Sequence, residues 1–404
     1  MSSELDANAA APETIAGLSF ALDKEQERFS ATLREWVDAE IPLDYARALE
    51  RREREYPFEL FDKIARAGYH GLSVPVEYGG QGGDNAMQML LARGLGRSLA
   101  GMVWVWGSTS FAGANSVGLY GTEEQKQRFL PRIARGELRF TIAFTEPGGG
   151  TDLLGALRTR AEKVDRGWIV TGRKKWCTSA HVSDYILLLA RTDDHVEKRH
   201  HGVTLFLLPA GSEGISLSPL PTLGMRALGA FEMELDRVFI PDDLVLGQPG
   251  NAWYMLLPTL NNERLVLLGL CCGMLDGILE TALAYVRERE AFGSHIGEFQ
   301  AIQHYVADIA MARRQTELIT HHAAWLDTTG QDIFLELTMA KVIATEHAVR
   351  AADLGIQIMG GMGYSGETDM QRYWRDARLY RMSPVTNEMA RNLVAERLGL
   401  PRSF

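Results

Sequence analysis

The period of the apolar residues changes twice along this chain, and that order limits the fold more than any other feature. Over residues 22–140 the pattern is helical: Leu60, Phe61, Ile64 and Ala65 share one helical face, and Ala67-Gly68 ends the stretch. Residues 125–133 read as another short helix, and residues 77–83 as a glycine-rich loop. Over residues 141–247 the texture differs. Residues 168–171, 185–189 and 203–208 are short apolar runs bounded by polar or glycine-containing turns, and residues 231–236 alternate strictly, as a half-buried strand does. No long helical pattern separates these runs, so a compact antiparallel barrel or sandwich fits better than a doubly wound sheet. Over residues 253–398 the helical period returns, and residues 264–289 and 302–327 are long enough for a four-helix bundle. The expected architecture is α+β and multi-domain: a loose N-terminal arm (1–21), an N-terminal helical domain (22–140), a middle β-barrel domain (141–247) and a C-terminal helical bundle (248–404).

Composition excludes several classes. Of the 404 residues 46% are hydrophobic and 23% charged, a globular balance that excludes a disordered tail, a collagen and a small disulfide scaffold. There are 42 basic against 52 acidic residues, a net charge of −10, which argues against nucleic acid as the main partner. A local basic site can still hold a small anion on an acidic protein. Cys177, Cys271 and Cys272 form no C-x-x-C pair, as expected of free thiols in a reducing compartment. No apolar run reaches the length of a membrane span; residues 265–275 are too short and are interrupted by Gly269 and Gly273, so they read as buried helix. Residues 1–18 lack the basic start and apolar centre of a signal peptide and the arginines of a transit peptide, so the expected location is the cytoplasm.

Two patterns invite over-reading. Residues 361–366 fit G-x-G-x-x-G, but a dinucleotide fingerprint needs a preceding strand, and residues 348–359 read as helix. His200-His201 and His321-His322 lie outside H-E-x-x-H, with no carboxylate or cysteine at ligand spacing, so no metal is expected. There is no P-loop and no G-x-S-x-G elbow.

The chemistry lies in a series of short motifs. Thr145-Glu146-Pro147-Gly148-Gly149-Gly150-Thr151-Asp152 stands where helices give way to strands, and its open backbone N–H groups suit a ring edge or a phosphate; a flexible turn has the same composition. Lys175-Trp176-Cys177-Thr178-Ser179 places a flat aromatic beside small hydrogen-bonding residues, which suits the wall of a planar heterocycle or a strand end. Then follow Arg287-Glu288-Arg289-Glu290-Ala291-Phe292-Gly293, Phe299-Gln300-Ala301-Ile302-Gln303, Gln357-Ile358-Met359-Gly360-Gly361-Met362-Gly363-Tyr364 and Arg375-Asp376-Ala377-Arg378.

With these motifs in this order, the chain resembles the acyl-CoA dehydrogenase family from about residue 22 to residue 398. The resemblance implies a helical domain, a middle β-barrel and a C-terminal four-helix bundle, usually assembled as a homotetramer, with a dimer as the alternative. It also implies FAD, bound between the middle and C-terminal domains and across a dimer interface. By position, Phe144 and Thr145 match residues lining the pyrimidine side of the flavin, Thr151 a hydroxyl near the phosphates and thioester arm, Trp176 the aromatic beside the isoalloxazine, and Thr178 the hydroxyl near N5. Arg289, Phe292 and Gln300 match contacts to the FAD of a neighbouring subunit, and Gln357 and Gly361 contacts on the adenine side. Thr386 and Glu388 fit the last cofactor-contact positions, the second being glutamine in many relatives.

The implied reaction is α,β-desaturation of an acyl thioester, a CoA or carrier-protein ester, with electrons passing to an electron-transfer flavoprotein. A carboxylate with a raised pKa removes the α-proton while the β-hydride goes to flavin N5, and the thioester carbonyl is polarised. The usual base stands in Y-E-G-T; here Ser383-Pro384-Val385-Thr386 puts proline at the glutamate. The isovaleryl- and long-chain-like branches take the base from the first helix of the bundle, where this chain offers Asn261-Asn262-Glu263-Arg264. The resemblance therefore points to Glu263 as base and Arg264 as its electrostatic neighbour. Pro384 also lacks the N–H that holds the thioester oxygen, a loss worth about 3 kcal/mol of barrier. Trp104 and Trp106 fall in the region that closes the acyl pocket in relatives, where their bulk favours short, branched or cyclic acyl groups; ordinary core tryptophans fit the pattern equally. Pro384 keeps open other chemistry, an oxygen-using oxidase or hydroxylase or an elimination, and a binding homologue without turnover.

Overall fold

The structure, a computed structural model, describes residues 20–194 and 196–402, so the expected N-terminal arm lies outside the described residues except for residues 20 and 21. The chain opens with helices α1 (Lys24–Glu40), α2 (Leu43–Arg51), α3 (Phe58–Arg66), α4 (Asn85–Gly96), α5 (Ala100–Thr109), α6 (Ser116–Tyr120) and α7 (Glu123–Ala134). Starts are set by side chains: Asp23 and Thr122 each form a capping box, with Gln26 and Gln125 reaching back. Between α5 and α6 the chain widens into a π-helical turn over Ser110–Asn115.

Eight strands follow in one sheet: β1 (Phe140–Ala143), β2 (Arg160–Val164), β3 (Gly167–Thr178), β4 (Tyr185–Arg191), β5 (Val203–Pro209), β6 (Ile215–Leu220), β7 (Ala230–Pro241) and β8 (Val245–Leu246), in the order β6-β7-β3-β2-β4-β5-β8. The pairing is largely antiparallel, but β1 runs parallel beside β4, and β2 touches β4 in parallel at Arg160 and Arg191. The antiparallel expectation holds for most of the sheet and is departed from at β1: β2 and β3 lie in the chain between β1 and β4, so β4 returns to β1 by a crossover rather than a hairpin.

The last third is helical: α8 (Ala252–Glu288), a two-strand hairpin of β9 (Glu290–Ala291) and β10 (Ser294–His295), α9 (Gln300–Thr328), α10 (Phe334–Met359), the single turn α11 (Gly361–Tyr364), α12 (Met370–Tyr380) and α13 (Asn387–Arg397). One apolar core runs through both helical regions, from Leu90 and Leu91 to Leu268, Leu275 and Leu337, while a second fills the sheet.

Helix α8 corrects the sequence reading of a short apolar run. It spans 37 residues and, by length and composition alone, is apolar enough to cross a membrane; most of that window is buried inside the protein. Gly269 and Gly273 do not interrupt it. A Cβ on either would lie 2.1 Å from a carbonyl oxygen of α4, that of Met89 or Arg93. Glycine at i and i+4 lets the two helix backbones meet, and that contact holds the middle of α8 against α4.

Candidate active site

The cofactor-side residues converge on the edge of β3. Its register with β7 slips between Lys174 and Cys177, and the extra residue puts Trp176 at φ 64°. The bulge turns Trp176 outward, 53% exposed, while Lys174 and Cys177 on either side are buried. Alongside, the Lys175 N–H donates to the Thr145 carbonyl at 2.8 Å, bringing Phe144 and Thr145 next to Trp176. Thr178 ends the strand, and its carbonyl accepts from the Thr141 hydroxyl at 2.5 Å. Thr151 is exposed on the glycine loop, where Gly148 and Gly150 have positive φ and open space at the Cβ position.

Beneath this edge lies a buried ion pair that motif reasoning missed. Lys174 Nζ donates to Glu146 Oε1 at 2.8 Å and to the Phe144 carbonyl at 3.1 Å. The Glu146 carboxylate also accepts from the Arg158 and Thr159 N–H groups at 2.7 and 2.9 Å. Burial alone would raise the Glu146 pKa; the Lys174 charge and these bonds outweigh it and hold the carboxyl below its ordinary value. The pair ties the 144–146 segment to β3. The signal available in sequence was a lysine in the inward phase of a strand.

The base-side residues lie on α8. Asn262 is buried in an amide cluster: its Nδ2 donates to Asn85 Oδ1 at 2.7 Å, and Asn115 Nδ2 donates to Asn262 Oδ1 at 2.8 Å. This joins α4, the π-helical turn and α8 and sets the rotation of the helix one residue before Glu263. Glu263 is buried, and among the described residues its carboxyl has no hydrogen-bond partner. Burial raises its pKa to about 7, the Arg264 charge acting in the opposite sense. Arg264, also buried, lies over the Phe334 ring at 6.0 Å, and burial lowers its pKa. Trp104 donates its indole N–H to the Tyr380 hydroxyl at 2.9 Å, which in turn lies 3.5 Å from Met225 Sδ; Trp106 is fully buried core. Thr386 caps α13 through Met389 N at 3.1 Å, and Glu388 is exposed on its first turn.

The remaining residues stand apart within the single chain. Arg289, Phe292 and Gln300 lie around the hairpin between α8 and α9, with Phe292 100% exposed at φ 53°. Gln357 and Gly361 are exposed at the end of α10, which is helix, so the G-x-G-x-x-G match follows no strand. Among the described residues no hydrogen bond or ring contact links these five to Trp176 or Glu263. Within Arg375-Asp376-Ala377, Asp376 is structural: its buried carboxylate accepts the Met225 N–H at 2.7 Å.

Family models for the N-terminal, middle and C-terminal domains of acyl-CoA dehydrogenase match residues 23–137, 141–238 and 250–399. The chain belongs to the acyl-CoA dehydrogenase family. It is 31% identical over 382 residues to the probable acyl-CoA dehydrogenase YngJ of Bacillus subtilis, covering 94% of this chain and 100% of that protein. Among solved structures, the acyl-CoA dehydrogenase from Geobacillus kaustophilus superposes with a TM-score of 0.88 at 29% identity, covering 94% of this chain and 99% of that one. An FAD complex of PigA superposes with a TM-score of 0.88 at 25% identity, covering 95% of this chain and 100% of that one. The acyl-CoA dehydrogenase fold is thus shared along the whole described chain, and the protein is an oxidoreductase of this family.

Proposed function

We propose that this protein is an FAD-dependent dehydrogenase of acyl thioesters with Glu263 as the base. The observation that carries the reading is the buried Glu263 carboxyl, free of hydrogen-bond partners among the described residues, its pKa raised by burial to about 7. A base must be ionised yet eager for a proton near neutral pH, and desolvation produces that state. The acyl chain lies with its α-carbon at Glu263, Arg264 keeps the local potential positive, and Trp104 limits the space for the acyl end. Glu263 takes the α-proton as a hydride leaves the β-carbon, and the α,β double bond forms.

The residues at the β3 edge fit FAD: an outward-turned indole, flanking hydroxyls and an open glycine loop suit a flat ring bearing a phosphate chain. When bound, FAD supplies the hydride acceptor. Phe144, Thr145, Trp176 and Thr178 would hold its ring and Thr151 its phosphates; Gln357, Gly361, Thr386 and Glu388 would complete the site. Arg289, Phe292 and Gln300 would reach the FAD of a neighbouring subunit, for which the full exposure of Phe292 is the support. The proposed assembly is a homotetramer, or a dimer, in the cytoplasm, with acyl-CoA or an acyl-carrier thioester as substrate and an electron-transfer flavoprotein as acceptor.

A second reading rests on Pro384, which has no N–H to give the thioester oxygen: a family flavoprotein that uses oxygen. Oxygen consumption by the substrate-reduced flavin separates the readings, and anaerobic mixing of the holoenzyme with a thioester panel tests the base. Flavin bleaching without oxygen, lost in Glu263→Gln while FAD stays bound, is the expected result; undiminished bleaching in that variant removes Glu263 as base.

A further inference from the structure

The segment between α12 and α13 is where Pro384 and Val385 replace the usual carboxylate and its neighbour, and one side chain from elsewhere holds it. Lys341 on α10 is 2% exposed. Its ammonium donates to the Val385 carbonyl at 2.5 Å and to Asn387 Oδ1 at 2.7 Å. Asn387 is fully buried; its backbone N–H donates to the Arg381 carbonyl and its Nδ2 to Thr345 Oγ1 at 3.1 Å. The charged and titratable groups around Lys341 are Arg264 and Cys271 from α8, Glu346 on its own helix and Glu388 from α13. Glu346 is engaged by Arg391 and Arg381, and among the described residues no carboxylate lies within ion-pair distance of Lys341. Burial lowers its pKa to about 8, Arg264 adding to the effect and Cys271, Glu388 and Glu346 opposing it.

A clip between a carbonyl and an amide needs only neutral donors, whereas a buried cation without a counter-ion costs much more. Among the described residues Arg264, the second buried cation here, likewise forms no ion pair; only the charge of its neighbour Glu263 acts on it. The charge that appears in such a site during proton removal is negative, on the thioester oxygen, at the place where Pro384 offers no donor.

We propose that Lys341 is a positioning residue of this reaction, fixing the Pro384–Val385 segment and supplying the positive potential that offsets the missing Pro384 N–H. The inference rests on the dehydrogenase reading. It is tested on holoenzymes of the wild type, Lys341→Arg, Lys341→Gln and Lys341→Met. Hydrogen exchange across residues 381–387 of the resting enzyme should quicken about tenfold in the Met variant and stay near wild type in the Arg variant. A bound 3-oxoacyl-CoA, whose enolate shows a long-wavelength band with oxidised flavin, should lose about tenfold of its enolate-to-ketone ratio in the Gln and Met variants and keep it in the Arg variant. Unchanged exchange in the Met variant overturns the clamp, and equal enolate ratios in all four proteins overturn the charge role. If the Met variant does not fold, the Gln and Arg pair decides both. If no thioester reduces or binds the wild type, the dehydrogenase reading fails, and the exchange experiment still decides whether Lys341 holds the segment.

Discussion

Glu263 links stability and activity through one proton, and the link can be measured without knowing the substrate. The carboxyl titrates near 7 in the folded protein instead of 4.5. Each tenfold change in proton affinity is about 1.4 kcal/mol, so the folded state disfavours the ionised form by about 3 kcal/mol. The sign follows from proton binding. Below pH 4.5 both states are protonated and the group costs nothing. Between 4.5 and 7 the unfolded chain ionises first, so stability falls as pH rises, and above 7 the whole cost is present. Glu263→Gln cannot ionise and escapes this penalty. Its stability advantage over wild type should be about 1 kcal/mol at pH 5 and about 3 kcal/mol at pH 8. Urea unfolding of the two holoproteins at both pH values reads the difference directly. For wild type, kcat/KM should climb with pH and level off above about 7, because only the carboxylate accepts a proton. A stability gap that does not change with pH would refute the argument, since it means Glu263 has the same proton affinity folded and unfolded.

Other outcomes follow from the same geometry. Lys174→Met leaves the Glu146 carboxylate buried without its cation; a loss of about 3–5 kcal/mol is expected in chemical denaturation, together with weaker FAD retention on gel filtration. Lys174→Met with Glu146→Gln, whose amide oxygen still accepts from the Arg158 or Thr159 N–H, should recover part of that loss. Gly269→Val drives a side chain into the Met89 carbonyl of α4 and should cost about 2–3 kcal/mol, seen as a lower melting temperature. Thr386→Ala removes the cap of α13 and should cost about 1 kcal/mol of stability in urea unfolding. Trp176→Ala, at an exposed bulge, should leave the apoprotein's urea midpoint within error while raising the dissociation constant for FAD.

The legible part of this protein was whatever repeats along the chain; the illegible part was whatever depends on a distant partner. Apolar runs and the alternation at residues 231–236 were enough to place β3, β4, β5 and β7 but not the other four strands, and helical spacing was enough to read both helical regions. Period two fails at the most important strand. It places Lys174 and Trp176 on one face and Cys177 on the other, whereas one extra residue in β3 buries Lys174 and Cys177 and turns Trp176 outward. That residue is visible only against β7. The same holds for α8, where glycines that look like breaks in an apolar run are contact points for α4. Motifs name groups that would touch a ligand, because those groups follow one another locally. Lys174 meets Glu146 across 28 residues and Lys341 meets Asn387 across 46, so nothing local marks the partner of either lysine. A lysine in the inward phase of a strand or on the buried face of a helix is therefore the sequence signal worth following: it is costly to bury, and the partner that offsets the cost lies elsewhere in the chain or arrives with the substrate.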